Sequence, residues 1–256
     1  MYKHKYIKYK KKYLNVKENQ FGGGKKHIYI MRHGQTDWNV EKRLQGCEAD
    51  IELNETGKNQ ALITGKYLNE YQQTNKKFDA IFCSPLKRTI ETSKIIAHEL
   101  LFDTEKINII DDLRDERLGK LSGTTPKERS LNPEFNQLNE LLDKFMNIKD
   151  PIEKQKNMIY YVNQIAKIYG RETFDELSKR IHNVLDYITK SEYDKILIVT
   201  HNAWVNNMFM VIGKTYDYND GDVSNGKNCK MGYIEYTNSE FKIITNPNTS
   251  HFNLYK

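Results

Sequence analysis

Met31-Arg32-His33-Gly34 stands directly after the short apolar run His27-Ile28-Tyr29-Ile30. The tetrad places an imidazole beside a guanidinium on a glycine turn, at the expected end of a strand. Neutral imidazole is a competent nucleophile near neutral pH, because its unperturbed pKa is about 6.5. A guanidinium offers a planar fork that bonds phosphate oxygens bidentately. Two further segments extend the theme. Ser84-Pro85-Leu86-Lys87-Arg88 puts Arg88 in the first turn of the next helix, where the helix N-terminus favours an anion. Ile198-Val199-Thr200-His201-Asn202 sets a second histidine just beyond an apolar run. Phosphoryl transfer needs a nucleophile in line with phosphorus, cations on the equatorial oxygens and an acid for the leaving oxygen. Leu113-Arg114-Asp115-Glu116-Arg117-Leu118-Gly119 offers the acid. In an extended segment Asp115 and Glu116 face opposite ways, so only one can serve.

The elements that must position these groups alternate. Strands are expected at 27–31, 79–83, 107–110, 195–200, 231–236 and 241–245. Helical spacing covers 55–72, 86–101, 134–147, 153–168 and 173–190, with a further helix after His201. Strands alternating with helices predict an α/β domain, a three-layer α/β/α sandwich with a mostly parallel central sheet. Ile196-Leu197-Ile198-Val199 is continuously apolar, as suits a strand covered on both faces. Ligands of such sheets bind at the carboxyl ends of the strands. Arg32-His33, Ser84-Pro85 and Thr200-His201 all fall there.

Charge divides the chain in two. Residues 1–26 hold nine lysines and one acid, a net +8, so the remaining 230 residues carry −2 of the total +6. A body that bound nucleic acid would carry its own basic excess. Tyr2, Tyr6, Tyr9, Tyr13 and Val16 recur at spacings of 4 and 3, one face of a helix, before Gly22-Gly23-Gly24 forms a joint. The leader, 1–26, reads as a basic arm for an anionic surface or a protein partner, or as a solvated tail. Cys47, Cys83 and Cys229 are widely spaced, which suits a reducing compartment. No apolar run is long enough for a membrane span, so a cytoplasmic protein is expected.

Thr36, Trp38, Asn39, Arg43, Gln45, Gly46, Leu53, Gly57 and Ala61 follow the tetrad in an order that resembles the histidine phosphatase superfamily, whose fold is shared with the cofactor-dependent phosphoglycerate mutases. The resemblance runs from about residue 27 to residue 245, within a catalytic domain taken as 27–256. It implies that His33 becomes phosphorylated, that Arg32, Arg88 and Asn39 hold the phosphate, and that His201 stabilises the transition state as imidazolium. Gly34, Thr36, Gln45, Gly46 and Asn202 then line the pocket, and Asn202 replaces a frequent glycine. Counting back from Gly119, the family's acid falls on Asp115, whereas a glutamate occurs one place later at Glu116. Between Gly46 and Asp50 lies one residue more than is usual, and Glu52 replaces a frequent proline. Glu172, in Gly170-Arg171-Glu172-Thr173, resembles a segment that opens a helix, and is read as a cap that supports the site from behind.

The resemblance further implies a helical insertion at about 120–170 that covers the site like a lid. The expected activity is metal-independent hydrolysis of a phosphorylated small molecule. No metal-ligand cluster or nucleotide loop is apparent, and no cofactor is expected. A phosphoglycerate mutase-type phosphotransferase is the alternative, although the stretch after Gly119 lacks the long mutase-type segment. A catalytically silent phosphate-binding module is a further alternative, opposed by the presence of every core residue. The leader also resembles those on proteins of large DNA viruses, which would place the protein in host cytoplasm or a virion.

Overall fold

The computed structural model describes residues 25–212, 228–229 and 231–245. The expected leader helix and glycine joint lie outside the described residues. Six strands form one sheet: β1 (Lys26–Arg32), β2 (Ala80–Cys83), β3 (Asn108–Ile109), β4 (Lys195–Thr200), β5 (Met231–Thr237) and β6 (Glu240–Thr245). Their order is β3-β2-β4-β1-β5-β6. The pairs β3–β2, β2–β4 and β4–β1 are parallel, and β1–β5 and β5–β6 are antiparallel. The sheet is mixed and mostly parallel, as expected.

Eight α-helices accompany it among the described residues. They are α1 (Asp37–Val40), α2 (Glu55–Gln73), α3 (Lys87–Glu99), α4 (Pro126–Ser130), α5 (Pro133–Met146), α6 (Pro151–Tyr169), α7 (Phe174–Lys190) and α8 (Asn202–Val211). Short caps explain their starts. Asn54 accepts the Gly57 N–H at 2.9 Å to open α2, and Asp150 accepts the Glu153 N–H at 2.7 Å to open α6. Gly170 takes the left-handed φ of 73° that ends α6. The two shortest helices escape a reading based on periodicity, since neither completes two turns.

Alternation along the strands divides the core into two layers. Ile28, Ile30, Phe82, Ile196 and Ile198 pack with Leu177, Ile181, Val184 and Ile188 of α7 and Trp204, Met208 and Phe209 of α8. Tyr29, Met31, Ile81, Leu197 and Val199 pack on the other face with Ala61 and Leu68 of α2 and Ile96 and Ala97 of α3. The three-layer sandwich follows directly. All six residues of β4 are buried, which accounts for its unbroken apolar run.

A third cluster is separate. Leu138 of α5 and Met158, Tyr161, Ile165 and Tyr169 of α6 pack with Leu118 and Leu121. The 120–170 insertion therefore has its own small core, anchored to the chain that follows the acid segment.

Candidate active site

The parallel ladders continue past the strands and bring three turns together. The His33 N–H donates to Thr200 O at 3.0 Å, and the Ser84 N–H donates to Val199 O at 3.2 Å. His33 and His201 thus meet at the carboxyl ends of β1 and β4, with ring centroids 5.3 Å apart. Gly34 is required where it stands. A Cβ there would lie 2.5 Å from Gly57 O, at the start of α2. The Gly34 N–H also donates to Thr92 Oγ1 of α3 at 3.0 Å, which locks the turn.

His33 Nδ1 lies 2.6 Å from Gly34 O. A carbonyl can only accept, so Nδ1 carries the proton and Nε2 keeps the lone pair. Burial, reinforced by Arg32 and Arg88, holds the His33 pKa well below the ordinary histidine value. The ring is neutral at neutral pH, as a nucleophile must be.

His201 is fully buried. Its Nε2 lies 2.8 Å from Ser84 Oγ, which already accepts the Leu86 N–H at 3.3 Å and has its own proton to give. That assignment leaves a proton on Nδ1, a buried atom with no hydrogen-bond partner. Burial, Arg88, His33 and Arg32 push its pKa well below the ordinary value. Burial and the neighbouring guanidiniums thus oppose the imidazolium form that the resemblance implies for His201.

Arg88 is fully buried in the first turn of α3. Its Nη1 donates to Ala49 O at 2.9 Å, and Nη2 donates to Gly46 O at 2.8 Å and Asp115 Oδ2 at 3.1 Å. The loop carrying the extra residue after Gly46 thus orients the guanidinium through its carbonyls. Two of the loop's acids turn to α3: Asp50 Oδ1 accepts the Lys87 N–H at 2.7 Å, and Glu52 pairs with Lys87 Nζ at 3.1 Å. The helix terminus expected to assist Arg88 is in part already capped by Asp50. Arg32 is half-buried beside Arg88 and Asp115, and the desolvation of its guanidinium lowers its pKa to about 10.

Asn39 and Thr36 form a reciprocal cap at the start of α1. Asn39 Oδ1 accepts the Thr36 N–H at 3.1 Å, and Thr36 Oγ1 accepts the Asn39 N–H at 3.2 Å. Gln45 Nε2 also donates to Thr36 Oγ1, at 2.8 Å. Asn228, which the sequence reading passed over, donates through Nδ2 to His33 O and to Asn39 Oδ1, each at 3.1 Å. It sits in a polar stretch without periodicity, so no local signal marks it. Asn202 opens α8 immediately after His201.

The two candidate acids part company. Asp115 Oδ2 faces the clamp, 3.1 Å from Arg88 Nη2 and 3.6 Å from His201 Nδ1. Glu116 turns the other way and pairs with Arg171. Burial raises the Glu116 pKa while Arg171 opposes the rise. Glu172 is not the cap of α7: Thr173 accepts the Glu176 N–H and Glu176 reaches back to the Thr173 N–H. Glu172 instead forms a buried two-bonded pair with Arg180, a residue the sequence did not single out. Cys47 keeps its thiol protonated, since burial and Glu48 raise its pKa. Among the described residues no group of three His, Cys, Asp or Glu side chains is placed to hold a metal ion. None of the described helices is long and apolar enough to cross a membrane.

A neutral histidine with a basic Nε2, a second histidine opposite it, the fully buried Arg88, the half-buried Arg32 and the inward Asp115 carboxyl gather at the carboxyl end of a mostly parallel sheet. Residues 28–249 match the model of the histidine phosphatase superfamily (branch 1), and the chain belongs to that family. It is 34% identical over 125 residues to an uncharacterized phosphatase PhoE of Bacillus subtilis, a match covering 46% of this chain and 60% of that protein. It is 28% identical to a metal-independent phosphoserine phosphatase of Arabidopsis thaliana over 72% of this chain and 68% of that one. Among solved structures, a phosphoglycerate mutase from Bacillus anthracis superposes with a TM-score of 0.63 at 20% identity, over 88% of this chain and 94% of its own. That likeness concerns the fold.

Proposed function

We propose that this chain is a phosphomonoester hydrolase that works through a covalent phosphohistidine on His33. The observation that carries the reading is the His33 ring, neutral, with Nδ1–H held on Gly34 O and Nε2 left basic, beside half-buried Arg32 and fully buried Arg88. Nε2 attacks phosphorus, the bond from phosphorus to the ester oxygen breaks, and Asp115 as carboxylic acid protonates that oxygen. The Asp115 carboxylate then takes a proton from water, whose oxygen displaces Nε2 and releases inorganic phosphate. Arg32, Arg88 and the Asn39 amide bind the equatorial oxygens. His201 donates Nδ1–H to an oxygen whose charge grows in the transition state. No step calls for a metal.

The substrate is a phosphorylated small molecule, selected by the 120–170 insertion and the Gly46–Asp50 loop. A mutase-type return of the phosphoryl group to a second substrate is the alternative, which the likeness to a mutase fold supports. The basic leader recruits the enzyme to an anionic surface or a protein partner in the cytoplasm, that of a virus-infected host on the leader's resemblance. The decisive experiment is hydrolysis of an aryl phosphate in EDTA by wild type and His33→Ala, with acid-labile, alkali-stable phosphate sought on the enzyme. Chelation-resistant turnover and label, both lost in the variant, support the proposal. Equal turnover in both proteins overturns it.

A further inference from the structure

Four consecutive carbonyls lead up to the proposed acid, and each accepts a hydrogen bond from a side chain distant in sequence. Asp112 O accepts from Arg180 Nη1 at 2.8 Å and from Trp204 Nε1 at 2.8 Å. Leu113 O accepts from Thr200 Oγ1 at 2.7 Å. Arg114 O accepts from Arg180 Nη1 at 3.0 Å, and Asp115 O accepts from Arg180 Nη2 at 3.4 Å. Arg180 thus touches three of the four.

Glu172 fixes the guanidinium from behind. Arg180 Nε donates to Glu172 Oε1 at 2.7 Å, and Nη2 donates to Oε2 at 2.6 Å. Arg180 is 7% exposed and Glu172 6% exposed. The Glu172 backbone brackets the far side of the segment, its N–H donating to Arg117 O at 2.8 Å. Burying such a pair costs desolvation that hydrophobic residues of similar volume would avoid, so stability alone is a weak reason for it. What the pair does geometrically is specific. Asp115 lies on a segment with no regular structure between a 3₁₀ turn (Asp111–Leu113) and Gly119. A one-residue shift of the segment there would exchange Asp115 for Glu116 as the inward side chain.

We propose that Arg180, held by Glu172, is a positioning residue that sets the backbone of 112–115 so that Asp115, and not Glu116, meets the leaving oxygen. The inference rests on the reading of Asp115 as the acid. Displacement of a catalytic group by about 1 Å can cost roughly 10²-fold in rate. The loss must fall on esters whose leaving oxygen needs a proton.

The test compares phenyl phosphate with 2,4-dinitrophenyl phosphate, two aryl esters of similar shape. Phenolate resembles a tyrosine side chain, with a pKa of about 10, and needs the acid. Dinitrophenolate is stabilised by its nitro groups and departs without it. Arg180→Lys is expected to lower kcat/KM on phenyl phosphate by about 10²-fold and to leave kcat/KM on the dinitrophenyl ester nearly unchanged, because kcat/KM reports only the transfer to His33 and not the later step in which Asp115 activates water for both esters. Equal losses of kcat/KM on both esters overturn the proposal, since a merely structural role does not discriminate leaving groups. Asp115→Asn is measured alongside, on the same kcat/KM. If it too loses both esters equally, the acid assignment has failed. If it is selective and Arg180→Lys is not, only the positioning role has failed. Should Arg180→Lys not fold, Glu172→Gln and Trp204→Phe carry the same selective loss in weaker form, and equal losses in both refute the role.

Discussion

At the amino ends of β1 and β4, Lys26 and Lys195 are buried and satisfied. Lys26 Nζ donates to Tyr193 O at 2.9 Å and to Ser191 O at 2.5 Å. Lys195 Nζ donates to Lys76 O and lies 4.6 Å from the ring centre of Tyr71 and 4.7 Å from that of Phe78. At the carboxyl ends of the same strands, buried polar atoms are left over. His201 Nδ1, Arg88 Nε and Gln45 Oε1 have no hydrogen-bond partner. Each such atom costs about 1–3 kcal/mol when buried unpaired. Both ends bury charge, but only one leaves donors unspent. An arriving phosphate would satisfy the two donors, His201 Nδ1 and Arg88 Nε, which agrees with the site proposed at that end.

Arg88 carries the largest expected effect. Arg88→Leu should lower kcat/KM on an aryl phosphate by about 10²- to 10³-fold, by analogy with removal of one preorganised charge-stabilising donor. Wild type should melt at a higher temperature in inorganic phosphate, and the variant should not. A variant that kept the phosphate shift would show that the unspent donors are not the binding site.

Lys26→Met probes the other end. It removes the donor from Ser191 O and Tyr193 O and should cost about 1–3 kcal/mol in urea unfolding. Its kcat should match wild type. A fall in kcat after correction for the folded fraction would couple the two ends and dissolve the contrast.

The acid dependence sharpens it further. His33 and His201 have folded pKa values below the 6.5 of the unfolded chain, through burial and the adjacent arginines. Below pH 6.5 the unfolded chain therefore binds protons that the folded one refuses, and their contribution to stability is lost as pH falls. It is fully present above 6.5. The acid limb of kcat/KM should lie below 6.5, because His33 stays neutral there, and a limb at or above 6.5 would contradict the buried site. The smallest expected effect is that of the leader: deletion of residues 1–24 should leave turnover of an aryl phosphate unchanged, measured beside the full chain.

Much of this was written along the chain. Arg32-His33 and Thr200-His201 follow apolar runs, and a parallel sheet brings the carboxyl ends of such runs together whatever the loops do. The helices expected at 55–72 and 173–190 appear as Glu55–Gln73 and Phe174–Lys190, since a long apolar period and a capping residue are local signals. The short α1 and α4 were missed because four or five residues cannot display a period. Glu172 was misread as a cap because Thr173, one position on, makes the reciprocal bonds.

The sequence by itself determined the family, the layered α/β architecture and the identity of both histidines and both arginines, because each is encoded by neighbours along the chain. Tertiary structure alone turned Asp115 toward Arg88 and Glu116 toward Arg171, brought Asn228 against the His33 carbonyl and gave Arg180 its hold on residues 112–115. Adjacent residues of an extended segment point in opposite directions. Which one points inward depends on partners more than 50 residues away, Arg171 for Glu116 and Arg180 for the backbone of Asp115, and no local pattern carries that information.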